Sequence, residues 1–250
     1  MNTKELLVAT EGAGVHKLNI DTYETDPYII ANYGSYNEMD GNIINDVYVD
    51  NEQRIWLSNY PTGITVRNNQ YTNYNWIKHS IGNRQSLVNN QVNSIIEDSD
   101  GDLWFFLNPG YSRGLFRLNP KSKEWKHYTT ETSVALSSIM VRDVAEDMNG
   151  NIWIATDHGG INILDKRLNR MRYIRNNPFN QTSLSQNSVI CLYRDDTGIM
   201  WAGTYKNGIN YYHESIFKFQ TIRYPLELMR DIFNNDFNCI VEDKEGDLWI

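Results

Sequence analysis

The chain has 250 residues, a net charge of −8, 40% hydrophobic residues and 22% charged ones. That length suits one large all-β domain or two small ones, and the composition is that of a folded protein rather than a disordered one. With a pI near 5.1 and no Lys/Arg cluster longer than residues 165–175, nucleic acid and anionic membranes are poor partners, because neutralising phosphates needs a concentrated basic face.

The first predicted element is an apolar segment at residues 5–10, centred on Leu7. Forty-nine residues later stands Trp56, followed by Trp104, Trp153, Trp201 and Trp249 at intervals of 48, 49, 48 and 48. A fixed period of this size marks a repeat architecture. An Asp precedes each Trp by six residues (Asp50, Asp98, Asp147, Asp195, Asp243). A Gly precedes it by three in four copies (Gly101, Gly150, Gly198, Gly246), with Gln53 the exception. Another follows by seven at Gly14 (counted from Leu7), Gly63, Gly160 and Gly208. In the third copy its equivalent is Gly114, displaced by an insertion around residues 109–111.

Each copy reads as four short strands, expected in the fourth copy at Val141–Glu146, Ile152–Thr156, 160–164 and 170–175. Apolar residues stand twelve and nine before the Trp: Ile44/Val47, Val92/Ile95, Val141/Val144, Val189/Leu192 and Phe237/Ile240. Those positions have opposite parity, so the first strand is expected to be buried on both faces. The last strand is richer in aromatic and charged residues (71–76, Trp125–Tyr128, 217–224), as a solvent-edged outer strand would be. Between the first two strands lies Glu-Asp-x-x-Gly, where Gly supplies a positive φ and the Asp carboxylate accepts local N–H bonds. Together these features predict an all-β fold: a β-propeller, or propeller segment, of four-stranded blades with a 48–49-residue repeat. Residues 1–250 form one such segment of about five blades. Because the Trp-bearing strand occurs at both ends (5–10 and 247–250), the segment is expected to be cut from a longer array.

No run of about 18 apolar residues spans a bilayer, and residues 1–10 lack the apolar core of a secretory signal. The sequence is thus read as a cytoplasmic protein or a piece of a longer exported one. Cys191 and Cys239 share one phase of the repeat and are expected to be small buried thiols rather than a disulfide. The repeated Asp residues are distributed once per blade and do not converge as a glycosidase pair would. The histidines (His16, His79, His127, His158, His213) lack metal-ligand spacing, so no metal and no cofactor is implied. No nucleotide-binding or nucleophile motif appears, and no catalytic residue is assigned.

What varies between copies is the loop after the second strand and the linker between blades, as in residues 82–90 and 176–187. Variable polar and aromatic loops on a rigid scaffold make a binding face. Sugars are held by aromatic platforms and by amide, carboxylate or guanidinium groups, which these loops supply in Tyr60, Tyr111, Arg113, Asp157, His158, Tyr205 and Lys206. The expected ligand is an oligosaccharide or another small polar molecule. If Arg113, His158 and Lys206 act together, that ligand is anionic. Two other readings stay open: a propeller enzyme such as a polysaccharide lyase or glycosidase, and a protein-interaction scaffold.

The run from Asn149 to Asn162, preceded by Glu146-Asp147, resembles the two-component regulator propeller repeat. The segment Asn177-Pro178 to Val189, with Ser183-Leu184-Ser185, resembles the linker before such repeats. In copies one and two Leu7 and Gln53 depart from the pattern. The resemblance implies the periplasmic sensor region of a Bacteroidetes hybrid two-component histidine kinase, sensing glycan-derived oligosaccharides. It places any kinase activity, and any homodimer contact, in regions outside this chain. It implies no direct membrane contact and no enzymatic activity for this segment.

Overall fold

The computed structural model describes residues 4–31, 39, 41–68, 74–83, 86–107, 110, 113–180, 182–213, 216–222, 239–244 and 247–249. Every regular element among them is a β-strand. The chain divides into two compact units, Met1–Lys126 and His127–Ile250.

In the first unit, β1 (Glu5–Ala9), β2 (Val15–Asn19) and β3 (Thr25–Ile29) form a three-stranded sheet. A four-stranded sheet follows: β4 (Ile44–Val49), β5 (Arg54–Asn59), β6 (Gly63–Asn68) and β7 (Tyr74–Ile77). The next comprises β8 (Val92–Glu97), β9 (Leu103–Leu107), β10 (Leu115–Leu118) and β11 (Trp125–Tyr128), the last carrying the boundary between units. The second unit holds β12 (Val141–Glu146), β13 (Ile152–Thr156), β14 (Gly160–Asp165) and β15 (Arg170–Ile174). It continues with β16 (Val189–Arg194), β17 (Met200–Thr204), β18 (Ile209–His213) and β19 (Ile216–Ile222), then the pair β20 (Val241–Glu242) and β21 (Leu248–Trp249). Strands are antiparallel and neighbour one another in chain order. These sheets are the blades of a β-propeller, and the fourth blade's strands fall within a residue of their expected bounds.

The Asp six before each Trp does more than close the turn. Asp98 accepts the Asp100 and Asp102 amides on Oδ1, both at 3.0 Å, and the Trp104 indole N–H on Oδ2 at 2.8 Å. The indole bond recurs from Trp56 to Asp50 (2.7 Å), Trp153 to Asp147 (2.9 Å), Trp201 to Asp195 (2.9 Å) and Trp249 to Asp243 (2.7 Å). A Trp can be buried only if its N–H finds an acceptor, so the spacing of six couples the hairpin to the core. Gly101, Gly150 and Gly198 complete that hairpin at φ of 82°, 78° and 89°, and Gln53 adopts 62° in their place.

Burial on the first strand differs from the sequence expectation. The register slips at Ile44/Asp46, Val92/Ser94, Val141/Asp143 and Val189/Cys191, a β-bulge in β4, β8, β12 and β16. The bulge reverses the parity that a regular strand would have. Val92 and Ile95 therefore pair with Leu107 and Phe105, two residues apart on β9, and share one face. Both join Trp56, Ile64 and Val66 of the preceding blade in one core cluster. Val189 and Leu192 likewise pack with Trp153, Ala155, Ile161 and Ile163. The strand buried along its whole length is the second one, as in β9 and β13.

Neighbouring inner strands are also stapled by carboxylates. Asp46 Oδ2 accepts the Ile95 amide (2.8 Å) and the Ser94 hydroxyl (2.7 Å), and Asp143 Oδ2 accepts the Leu192 amide (2.7 Å). Burial raises the Asp46 carboxyl above its ordinary value, and these bonds offset that only in part. Burial and the Glu97 carboxylate push the Tyr48 hydroxyl up to about 12. The two cysteines are unbridged; Cys191 is buried, its thiol pushed up to about 12 mainly by burial, whereas Cys239 is exposed rather than buried as expected.

Asp195 gives a pH signature. Burial alone would raise its carboxyl, but hydrogen bonds from the Thr197 hydroxyl, the Trp201 indole and the Ile199 and Thr197 amides outweigh it and leave it lowered. A carboxyl lowered by folding adds stability above its unfolded value, about 3.9, and loses it as pH falls through the folded value. Urea denaturation of Asp195→Asn should thus show a flatter acid limb below about pH 4 than the parent protein. An unchanged limb would mean that this carboxylate is not held by its turn.

Candidate functional site

In the second unit, the loops after β13 and β17 meet the linker that precedes β16. Each loop is closed by a Thr hydroxyl donating to a Gly carbonyl, Thr156 to Gly160 (2.8 Å) and Thr204 to Gly208 (2.7 Å). His158 and Lys206 occupy the same place in consecutive blades and take φ of 66° and 65°. That region is uncommon for residues with a Cβ. The linker fastens to both loops through Ser188: its hydroxyl donates to Asp157 Oδ1 (2.6 Å), and its carbonyl accepts the Tyr205 amide (2.9 Å). Ser185 ties in from the other side, its amide donating to Asn210 Oδ1 (2.9 Å) and its hydroxyl to the Asn207 carbonyl (3.1 Å). Asn176 is folded onto the linker, donating from Nδ2 to the Leu184 carbonyl at 2.7 Å.

A cleft of about 680 Å³ opens among these segments, lined by Arg142, Asp157, His158, Asn176, Ser185, Gln186, Asn187, Ser188, Ile190, Tyr205 and Asn207. Arg142 and Ile190 are the bulge residues of β12 and β16. The Asp157 carboxylate is engaged by Ser188 and by His158 Nδ1 at 2.9 Å. Tyr205 is 46% exposed, with the Lys206 ammonium 4.7 Å from its ring centre. The buried Gln186 Oε1 has no hydrogen-bond partner among the described residues. Neither does the guanidinium of Arg142, a residue of intermediate exposure. Such a site can offer a ring platform, amides, one carboxylate and one unpaired cation.

Of the residues singled out from sequence, Asp157, His158 and Tyr205 line this cleft, and Lys206 stands beside it on Tyr205. Tyr60, 37% exposed, and the exposed Arg113 belong to the first unit. Tyr111 lies outside the described residues. Arg142 and Ser188 escaped the sequence reading, and Gln186 was not named although it falls in the variable linker 176–187. Arg142 had a signal: eleven before the Trp the copies read Asn45, Asn93, Arg142 and Ile190. A residue that varies while the apolar positions twelve and nine before the Trp stay constant is one that the core does not use. A second cleft, of about 370 Å³ in the first unit, is walled by Trp56, Trp76 and Trp125. Its guanidinium, Arg54, is already paired with Asp50 and Glu52.

The sequence profile of the two-component regulator propeller matches residues 86–106, 135–158, 183–206 and 231–250. Four segments of the chain thus match the repeat of the two-component regulator propeller. The second and third matches end on the two cleft loops, at His158 and Lys206. Over 84 residues the chain is 32% identical to Histidine kinase P4 of Formosa agariphila, covering 32% of this chain and 6% of that protein. It superposes on the extracellular domain of a putative hybrid two-component system from B. thetaiotaomicron with TM-score 0.70 and 21% identity, over 99% of this chain and 37% of that one. PorZ, a surface component of the type-IX secretion system of Porphyromonas gingivalis, gives 0.69 and 17% over 96% and 35%. A streptogramin B lyase gives 0.62 and 14% over 99% and 76%. At such identities these likenesses establish the propeller fold. The chain spans little more than a third of the hybrid-system and PorZ structures.

Proposed function

We propose that this propeller segment belongs to the periplasmic, ligand-sensing region of a hybrid two-component signalling protein, and that it binds a glycan-derived oligosaccharide. The family of its repeats supports the signalling setting. The carrying observation for the ligand is the cleft of the second unit, where a half-exposed Tyr205 ring stands among Asp157, Asn176, Gln186 and Asn187. A sugar ring presents hydroxyls to amides and carboxylates and an apolar C–H face to an aromatic ring, so this mixture of groups suits it. The left-handed His158 and Lys206 add support, since residues held in sparsely populated backbone regions gather at ligand sites. On this reading the segment binds and does not turn over its ligand, and likeness to a lyase fold carries no chemistry with it.

Calorimetry of the intact protein against an oligosaccharide panel tests the proposal. Tyr205→Ala should weaken the cognate oligosaccharide about tenfold, the equivalent of ~1.4 kcal/mol. Unchanged affinity in Tyr205→Ala and Asp157→Ala together would place the ligand elsewhere. Release of cleaved sugar during the titration would make the segment an enzyme.

A further inference from the structure

Resting on the saccharide reading of this cleft, we propose that the ligand is acidic: a sugar whose carboxylate or sulfate group pairs with the Arg142 guanidinium. Arg142 is the extra residue of the β12 bulge, which takes it out of the ladder's alternation and into the cleft. A guanidinium on the wall of a cleft partly closed to water is best matched by a counter-charge. Elsewhere this chain supplies one: the half-buried Arg54 pairs with Asp50, and Arg117 with Asp102. Arg142 has no such partner among the described residues. The cleft's own carboxylate, Asp157, is committed to Ser188 and His158 and leaves the guanidinium charge standing.

Nor is Arg142 needed to join blades. At the same bulge position Asn45 donates from Nδ2 to the Val92 carbonyl of the next blade at 2.7 Å. Arg142 makes no equivalent bond, and Ile190 has no donor to make one. A net charge of −8 offers an anion no long-range attraction, so capture must rest on local groups. A second vacancy narrows the ligand further. Buried Gln186 Oε1 lacks a donor, and buried acceptors are seldom left so. A simple inorganic anion without hydroxyls fills only the Arg142 vacancy. An acidic sugar sets its anionic group on Arg142 and fills the Gln186 vacancy once that side chain turns its amide toward a hydroxyl.

The test is calorimetry of the intact protein with four sets of probes. These are uronate oligosaccharides (galacturonate, mannuronate and glucuronate), their carboxyl-reduced counterparts, sulfated oligosaccharides, and unsulfated neutral ones. An acidic oligosaccharide should bind about 10- to 100-fold more tightly than its neutral counterpart, as one charge-assisted contact provides. Arg142→Gln should remove that preference, and Arg142→Lys should keep part of it, with the Tm of both close to the parent value. The uronate and sulfate arms show which anion is read. Equal binding of a neutral counterpart, unaffected by Arg142→Gln, overturns the acidic ligand and leaves the saccharide reading standing. Failure of every probe overturns both. A drop in Tm for Arg142→Gln as large as that of a core substitution also overturns it, because the guanidinium would then serve the fold.

Discussion

Asp98→Ala should destabilise the chain by about 3 kcal/mol, because one substitution strands two buried donors and a third on the exposed Asp100. Both amides of the turn, from Asp100 and Asp102, and the Trp104 indole lose their acceptor. Asp98 is 2% exposed and Trp104 1%, so water does not replace it. Unmet buried donors cost roughly 1–3 kcal/mol each, and relief of the carboxylate's own desolvation returns part of the total. Asp98→Asn keeps one oxygen and should fall between, at about 1–2 kcal/mol. Urea melts of the three proteins decide this. A parent-like midpoint for Asp98→Ala would remove the Asp–Trp couple from the account of the fold and reopen a functional role for the repeated carboxylates.

Gly160→Ala should be at least as damaging, at 3 kcal/mol or more by the same scale. The residue has φ 76°, where a Cβ is strained by about 1 kcal/mol or more. The added methyl would also stand 2.2 Å from the Ile174 carbonyl oxygen, on the neighbouring strand of the same blade. That oxygen belongs to the backbone, so β14 and β15 would have to part. Gly150→Ala is the control: its φ of 78° is alike, but the nearest atom is Glu146 Oε1 at 3.6 Å. It should cost only about 1 kcal/mol. Melting the pair separates backbone strain from collision, and equal losses would contradict the collision. Gly14 and Gly63 repeat the Gly160 environment, 2.3 and 2.5 Å from the Ile29 and Ile77 carbonyls.

The architecture was legible in the sequence because its causes are local and repeated. The Trp period, the Asp turn and the Gly after the second strand each mark one backbone demand met once per blade. The inner strand misled because parity counting assumes an unbroken ladder, whereas a bulge sits between the two apolar positions in the four copies described there. The indole bond left a trace, the constant spacing of six, whose meaning appears only when both partners are seen buried. For the candidate site, loop variability singled out Asp157, His158 and Tyr205, which do share a cleft. It could not separate them from Tyr60 and Arg113, which follow the same rule in two other blades. Arg142 and Gln186 are 44 residues apart, and only the packing of one blade on the next makes them neighbours.

The most direct measurement is a crystal structure of the intact protein with its tightest-binding oligosaccharide. A sugar is expected in the cleft of the second unit, one ring against Tyr205, its hydroxyls on Asp157 and Gln186, and its anionic group on Arg142. An ordered sugar bound elsewhere, with that cleft holding only solvent, would contradict it.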